Sequence, residues 1–209
     1  MAKEVRKMTF ESNKNLSAVG TLLLVIGFFG AFIPYAGILA LVGLILLMIG
    51  LKGLASFYNE QGIFNNALYS IITGIVGAVV TVGAVAISAV AALASLGIDL
   101  ANIEDWATLG TDLGAVFTDF SDFSALWTLL GALIVGLLIL FVTVIISVYF
   151  FRKSMNQLST KSGVGLFGTA GLLMIVGAVL TIVVVGFILI WIGLLIATIA
   201  FFQMKQAQV

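Results

Sequence analysis

The chain of 209 residues has no cysteine, no histidine and a single proline, and only 9% of its residues are charged. Without cysteine there is no disulfide framework, no thiolate metal site and no thiol nucleophile. Without histidine there is no imidazole ligand or base, and no side chain that ordinarily changes charge near neutral pH. A metal site would have to be made of carboxylates alone, and none is expected, nor any cofactor. What remains is apolar: 62% hydrophobic residues and a mean hydropathy of +1.29. A soluble domain of this length needs a polar exterior that such a composition cannot supply, so the solvent is lipid.

Charge-free stretches cover Ser17 to Leu51, Ala67 to Ile98, Phe123 to Phe151 and Ser162 to Met204. At a rise of about 1.5 Å per residue, a helix crossing roughly 30 Å of hydrocarbon needs about 20 residues. The second and third stretches therefore predict one helix each, the second over-long and tilted or protruding. The first and last are long enough for two short helices apiece. "FIPYAG" supplies the first turn, because Pro34 lacks a backbone N–H, disfavours helix at Ile33 and is followed by Gly37. "VVVGF" around Gly186 is the corresponding weak point in the last stretch. Shifting the first hairpin by 150 positions aligns Leu22, Leu23, Gly27, Ile38, Leu39, Gly43, Leu44 and Ile49 with Leu172, Leu173, Gly177, Ile188, Leu189, Gly193, Leu194 and Ile199. The shift also lays Pro34 on Val184, inside the second turn. The expected fold is an all-α polytopic transmembrane bundle of six helices, with five as the alternative. Helices one and two would resemble five and six as a parallel repeat.

On a six-helix path all nine basic residues fall on one side: Lys3, Arg6, Lys7, Lys14, Lys52, Arg152, Lys153, Lys161 and Lys205. The positive-inside rule makes that side cytoplasmic, together with both termini of a multi-pass protein of the cell membrane. The other side receives Asp99, Glu104, Asp105, Asp112, Asp119 and Asp122 in one loop. Tyr35 and Trp127 are placed near outer ends, and Tyr58, Tyr69 and Tyr149 near inner ends, as interfacial belts require. The first apolar run continues into a second span with no A-x-A site to close it, so it reads as a retained anchor and not as a signal peptide. The expected organisation is one membrane domain over 1–209, with a cytoplasmic segment at 1–15, an acidic external loop at 98–124 and a basic cytoplasmic loop at 152–162.

The residues from Ala67 to Gly97 are conspicuously short of bulk. Gly74, Thr81, Ser88 and Ser95 recur every seven positions, and Gly77, Ala84 and Ala91 form a second series three positions later. Together they make a seam of small residues. Lipid tails give little drive for helices to associate, so association depends on close backbone approach and interhelical hydrogen bonds, which small and hydroxyl residues permit. The same spacing recurs as Gly20 and Gly27, as Ala36, Gly43 and Gly50, as Ala170 and Gly177, and as Gly186, Gly193 and Ala200. Bundle packing is the plain reading of these seams. The sharper one is a pore lining or a face for another subunit, with Thr73, Thr81, Ser88 and Ser95 as polar contacts.

No ionisable residue falls within an expected span, which disfavours proton-coupled or carboxylate-centred transport. In the outer loop, Trp106, Leu109, Leu113, Phe117, Phe120 and Phe123 recur at helical spacing opposite acidic and hydroxyl residues, predicting an amphipathic helix on the outer surface. Asp105, Asp112, Asp119 and Asp122 there read either as simple solvation or as an acidic vestibule for cations; a carboxylate Ca²⁺ site at Asp119 and Asp122 lacks EF-hand spacing. Asn65 or Asn66 is placed to cap helix three. Arg152, Lys153 and Lys161 satisfy the topology and are candidates for contact with anionic lipid head groups. Scattered Ser and Thr have no His or Cys partner, so acyl transfer and hydrolysis lack their parts and no enzyme is expected.

"MTFESNKNL", "YAGILALVGLILLMIGLKGLASFYNEQGIFNNALY" and "SGVGLFGTAGLLMIVGAVLTIVVVGFILIWIGLLIATIAFF" together resemble an uncharacterised multi-pass membrane family of archaea and bacteria, domain of unknown function 996. The resemblance covers nearly the whole chain, is most specific at "NEQGIFNNALY" and "SGVGLFGTAGLL", and does not extend to the acidic loop. It implies an integral membrane protein of a prokaryote, with archaea the expected source, and carries no activity or catalytic residue with it. Two functions follow as expectations. One is a non-enzymatic assembly or accessory protein, joining itself or another membrane protein through small-residue seams. The other is a passive channel or uniporter for a small solute or cation. Lipid is the solvent in both, and nucleic acid is no partner in either.

Overall fold

The computed structural model describes residues 2–31, 35–95, 124–183 and 185–205. Six helices run in order through them: α1 (Ala2–Gly27), α2 (Ala36–Phe57), α3 (Gly62–Ser95), α4 (Ser124–Ser162), α5 (Leu166–Val179) and α6 (Val185–Gln203). Among the described residues there is no strand. The last five helices are long and apolar enough to cross a membrane. In α1 only the half from Leu16 onward is apolar, and this half packs beside α2 and α6.

The turns follow from local chemistry. The α2 C-terminus closes as a Schellman motif, with the Glu60 N–H donating to the Ala55 carbonyl at 2.9 Å and the Asn59 N–H to Ser56 at 3.3 Å. Asn59 takes the left-handed position at φ 50°, a conformation asparagine tolerates better than most residues. At the end of α4, Gly163 does the same at φ +72°, its N–H donating to the Ser159 carbonyl at 2.9 Å. Both membrane hairpins tighten into 3₁₀ turns, Phe28–Ala31 after α1 and Leu180–Val183 after α5. The second break therefore begins ahead of "VVVGF" and overlaps its first residue, Val183, while Gly186 is the second residue of α6.

Several boundaries differ from the sequence expectation. The segment at 1–15 is helical from Ala2 as the start of α1, and Arg152 to Lys161 form the last turns of α4 and not a loop. Helix α3 begins at Gly62, so neither Asn65 nor Asn66 caps it. The acidic segment, with its expected amphipathic helix, lies outside the described residues.

The 150-residue repeat is visible in the packing. A Cβ built on Gly43 would fall 2.6 Å from the Gly20 carbonyl oxygen and 2.9 Å from the Leu24 nitrogen; one built on Gly193 meets the Ala170 carbonyl at 3.2 Å and Met174. Likewise Gly27 faces the Ala40 nitrogen at 2.5 Å and Gly177 faces the Ile190 nitrogen at 2.9 Å. Each second-hairpin contact is the first-hairpin contact moved by 150 positions, so α1–α2 and α5–α6 cross at the same register.

The described residues gather into two compact units. The first (Met1–Gly74 and Thr143–Val209) holds both hairpins and the near halves of α3 and α4. Its main core joins all six helices, with Phe10 and Ala18 of α1, Leu51 and Leu54 of α2, Ile63 of α3, Met155 and Leu158 of α4, Phe167 of α5 and Phe201 of α6. A second cluster is formed by Val25, Val148, Met174, Ala178 and Leu194. The other unit (Ile75–Val142) consists of the remaining halves of α3 and α4.

Candidate functional site

The α3 seam lies on the less exposed side of its helix. Gly77 is buried and Gly74, Thr81, Ala84 and Ser88 are partly buried, while Ile75, Val76, Val79, Val80, Val82 and Ile87 are exposed. Ala91 is exposed, so the seam opens toward the end of the helix, and Ser95 is its last residue. Within the first unit, a Cβ on Gly74 would touch the Ser147 hydroxyl of α4 at 3.4 Å. Within the second, a Cβ on Gly136 of α4 would come 2.9 Å from Val85 and 3.7 Å from the Thr81 methyl. Gly74 of α3 and Gly136 of α4 thus each admit a side chain of the other helix.

The hairpin seams are occupied in the same way. Gly43 lies against Gly20, Gly50 against Asn13 and Ser17, Gly186 against Gly177, and Gly193 against Ala170 and Met174. At each of these positions the neighbouring backbone or side chain stands where a side chain would begin. These seams are closed within the chain.

The buried polar groups of the first unit are also largely engaged with one another. The Ser154 hydroxyl donates to the Ile63 carbonyl at 2.6 Å. The Asn66 amide donates to the Gly62 carbonyl at 2.7 Å and to Gln157 Oε1 at 3.0 Å. Ser147 donates to the Ser70 carbonyl at 2.9 Å, which leaves the 3.2 Å contact between the two hydroxyls to be donated by Ser70. Ser17, Thr21 and Thr198 donate to carbonyls four residues earlier in their own helices. The Trp191 indole N–H reaches the Val25 carbonyl at 3.1 Å, tying α6 to α1. No sequence periodicity pointed to Trp191 or to the Asn66–Gln157 pair, since each depends on residues 166 and 91 positions apart meeting in space.

Among the described residues two hydroxyls closed off from solvent have no hydrogen-bond partner, Tyr58 and Thr81. Tyr58 is not the open interfacial residue its sequence position suggests. It packs edge-on against Phe57 at 5.1 Å and Phe10 at 6.4 Å, and desolvation by burial raises its pKa above 10.0. Tyr35, Trp127, Tyr69 and Tyr149 are exposed.

Of the basic candidates, Lys161 is taken by Glu60, with its Nζ 3.3 Å from the carboxylate. Arg152 is half-buried and Lys153 exposed on adjacent positions of α4, neither in an ion pair among the described residues. Among the described residues no group of three or more potential metal ligands comes together. Asp105, Asp112, Asp119 and Asp122 lie outside them.

A family model described as "Protein of unknown function (DUF996)" matches residues 39–195. The uncharacterized protein MJ1644 of the archaeon Methanocaldococcus jannaschii is 25% identical over 200 residues, covering 96% of each chain. No solved structure matches. The family match takes in α3, α4 and α5 whole and most of α2 and α6, leaving out α1, and it spans well over half of the chain, so this integral membrane protein belongs to the DUF996 family.

Proposed function

We propose that the protein is a non-enzymatic assembly or accessory module of the cell membrane, with both termini cytoplasmic, that joins a second copy or another membrane protein through α3 and α4. The supporting observation is a contrast in burial. Only 11% of the apolar window in each of α3 and α4 is buried, against 33–39% in α2, α5 and α6. In the second unit Gly83 and Gly131 have, among the described residues, no heavy atom within 4 Å of where a Cβ would stand. Backbone open at a glycine is where a neighbouring helix can approach closely in lipid. Because the hairpin seams are filled from within the chain, the partner contact falls to these two helices.

The test is energy transfer between donor- and acceptor-labelled copies in liposomes, over a range of protein-to-lipid ratios. Saturating transfer that Gly83→Leu and Gly131→Leu abolish supports self-assembly. Transfer no greater than random proximity at every density, with no co-purifying membrane protein, refutes the reading.

Thr81 favours a second reading. Its hydroxyl is shut away without a partner inside an otherwise charge-free helix, which suits a passive path for a small solute or cation. Selective flux through protein-containing liposomes that Thr81→Leu, Ser88→Leu removes would support it, and absence of flux would dismiss it.

A further inference from the structure

Arg152 and Lys153 follow directly on the apolar run that ends with Tyr149, Phe150 and Phe151. Tyr149 and Tyr69 are exposed, and the Phe150 ring lies 5.8 Å from that of Tyr149 and 5.7 Å from that of Tyr69. An exposed tyrosine cluster bordering a basic pair on a long apolar helix marks the level at which hydrocarbon gives way to head groups. At that level Arg152 is held from behind: a Cβ on Gly171 of α5 would meet its Cγ at 3.1 Å and its Cα at 3.2 Å. The glycine lets α5 press against the Arg152 stem, which fixes the start of a side chain that would otherwise lose much rotamer freedom on binding.

One turn further on, Asn156 is exposed, and a Cβ on Gly168 of α5 would lie 3.7 Å from its Oδ1. Gly165, at the start of α5, has open space beside it. Asn156 therefore lies in line with Arg152 on the side of α4 that meets α5, where the two facing positions, Gly168 and Gly171, carry no side chain. The nearby Lys161 is paired with Glu60, whereas Arg152 and Lys153 have no ion-pair partner among the described residues.

We propose that Arg152 and Lys153, with the Asn156 amide, bind the phosphate of an anionic phospholipid along the groove between α4 and α5. The occupant is a lipid and not a free anion, because the cations adjoin exposed apolar surface on α4 that would receive the acyl chains, and only a lipid offers phosphate and chains together. Positive-inside topology accounts for basic residues on this side of the membrane. It does not account for an arginine seated on a glycine with no ion-pair partner among the described residues.

The test is native mass spectrometry of the full chain, delipidated in detergent and titrated separately with phosphatidylglycerol and phosphatidylcholine of the same acyl chains. The expected result is one retained phosphatidylglycerol, bound at least about tenfold more tightly than phosphatidylcholine, with affinity falling about fivefold for each charge removed in Lys153→Gln and in Arg152→Gln, Lys153→Gln. Lys52→Gln, on another helix, should leave the preference intact. An equal loss in Lys52→Gln would mean diffuse attraction and overturn the proposal, as would an unchanged preference in the double variant or no preference in the native chain. Displacement of the bound lipid by millimolar inorganic phosphate would assign the site to a free anion and also overturn it. Lys153 is exposed, so its single variant gives a reading even if the Arg152 change disturbs packing.

Discussion

Replacing Gly43 by alanine adds one methyl group where the Gly20 oxygen would stand 2.6 Å away, the Leu23 Cβ 2.8 Å and the Leu24 nitrogen 2.9 Å. Two of the three are backbone atoms and cannot rotate aside, so α1 and α2 must part by roughly half an ångström or more to regain ordinary contact. Overpacking of this kind costs about 1–3 kcal/mol, offset in part by the preference of about 1 kcal/mol for alanine over glycine within a helix. The expected net loss is about 0–2 kcal/mol. Gly193→Ala, at the equivalent place in the second hairpin, should lose less. The Ala170 oxygen stands farther off there at 3.2 Å, and the other obstacle is the unbranched side chain of Met174. Gly83→Ala, which meets nothing within 4 Å, should be neutral or gain up to about 1 kcal/mol. Unfolding by SDS in mixed micelles, followed by tryptophan fluorescence, gives the order directly. Gly43→Ala as stable as Gly83→Ala would show that the backbones of α1 and α2 do not approach as described.

Trp191→Phe removes the indole donor to Val25 and should cost about 0.5–1.5 kcal/mol in the same assay, whereas Trp127→Phe, on an exposed face, should cost nothing measurable. Tyr58→Phe removes a buried hydroxyl that bonds to nothing, so it should be neutral or stabilising. Because burial raises the pKa of Tyr58 above 10.0 in the folded protein, the unfolded chain ionises first. Native stability should hold up to about pH 10 and fall above it more steeply than in Tyr58→Phe; parallel curves from pH 9 to 11 would refute the assignment. The cysteine-free chain permits single-cysteine labelling of intact cells. Tyr35→Cys should react with an impermeant maleimide from outside and Thr160→Cys only after permeabilisation, and the reverse would invert the topology.

The helix count and the hairpins were legible because each rests on a local property of the chain: apolar length or breakers. Helix ends were less so. Arg152 to Lys161 read as a loop because charge marks the end of a hydrophobic span, but α4 continues through them into water, and nothing in a hydropathy pattern separates the end of a span from the end of a helix. The α3 start was misplaced because Asn65 and Asn66 look like caps. Asn66 instead spends its amide on Gly62 and Gln157, the latter a residue 91 positions away. The Gly186 turn was placed late for a similar reason: a glycine next to valines reads as a break, while here it admits the Gly177 backbone.

The same commitments rank the functional readings. A solute crossing the first unit between α3 and α4 would have to compete with the Ser154–Ile63, Ser70–Ser147 and Asn66–Gln157 bonds, each a buried polar pair whose opening costs about 1–3 kcal/mol unless the solute replaces it. Three such pairs on one helix contact act as glue, since polar side chains in a pathway need to be free for what passes. Thr81, in the second unit, is the exception, and a single unpaired hydroxyl supplies one of the several ligands that a dehydrated cation requires. The outward faces of α3 and α4 carry no comparable commitment. They combine low burial with open glycines, and a second helix laid there would gain packing without breaking a bond already made. Assembly therefore asks less of this structure than conduction does.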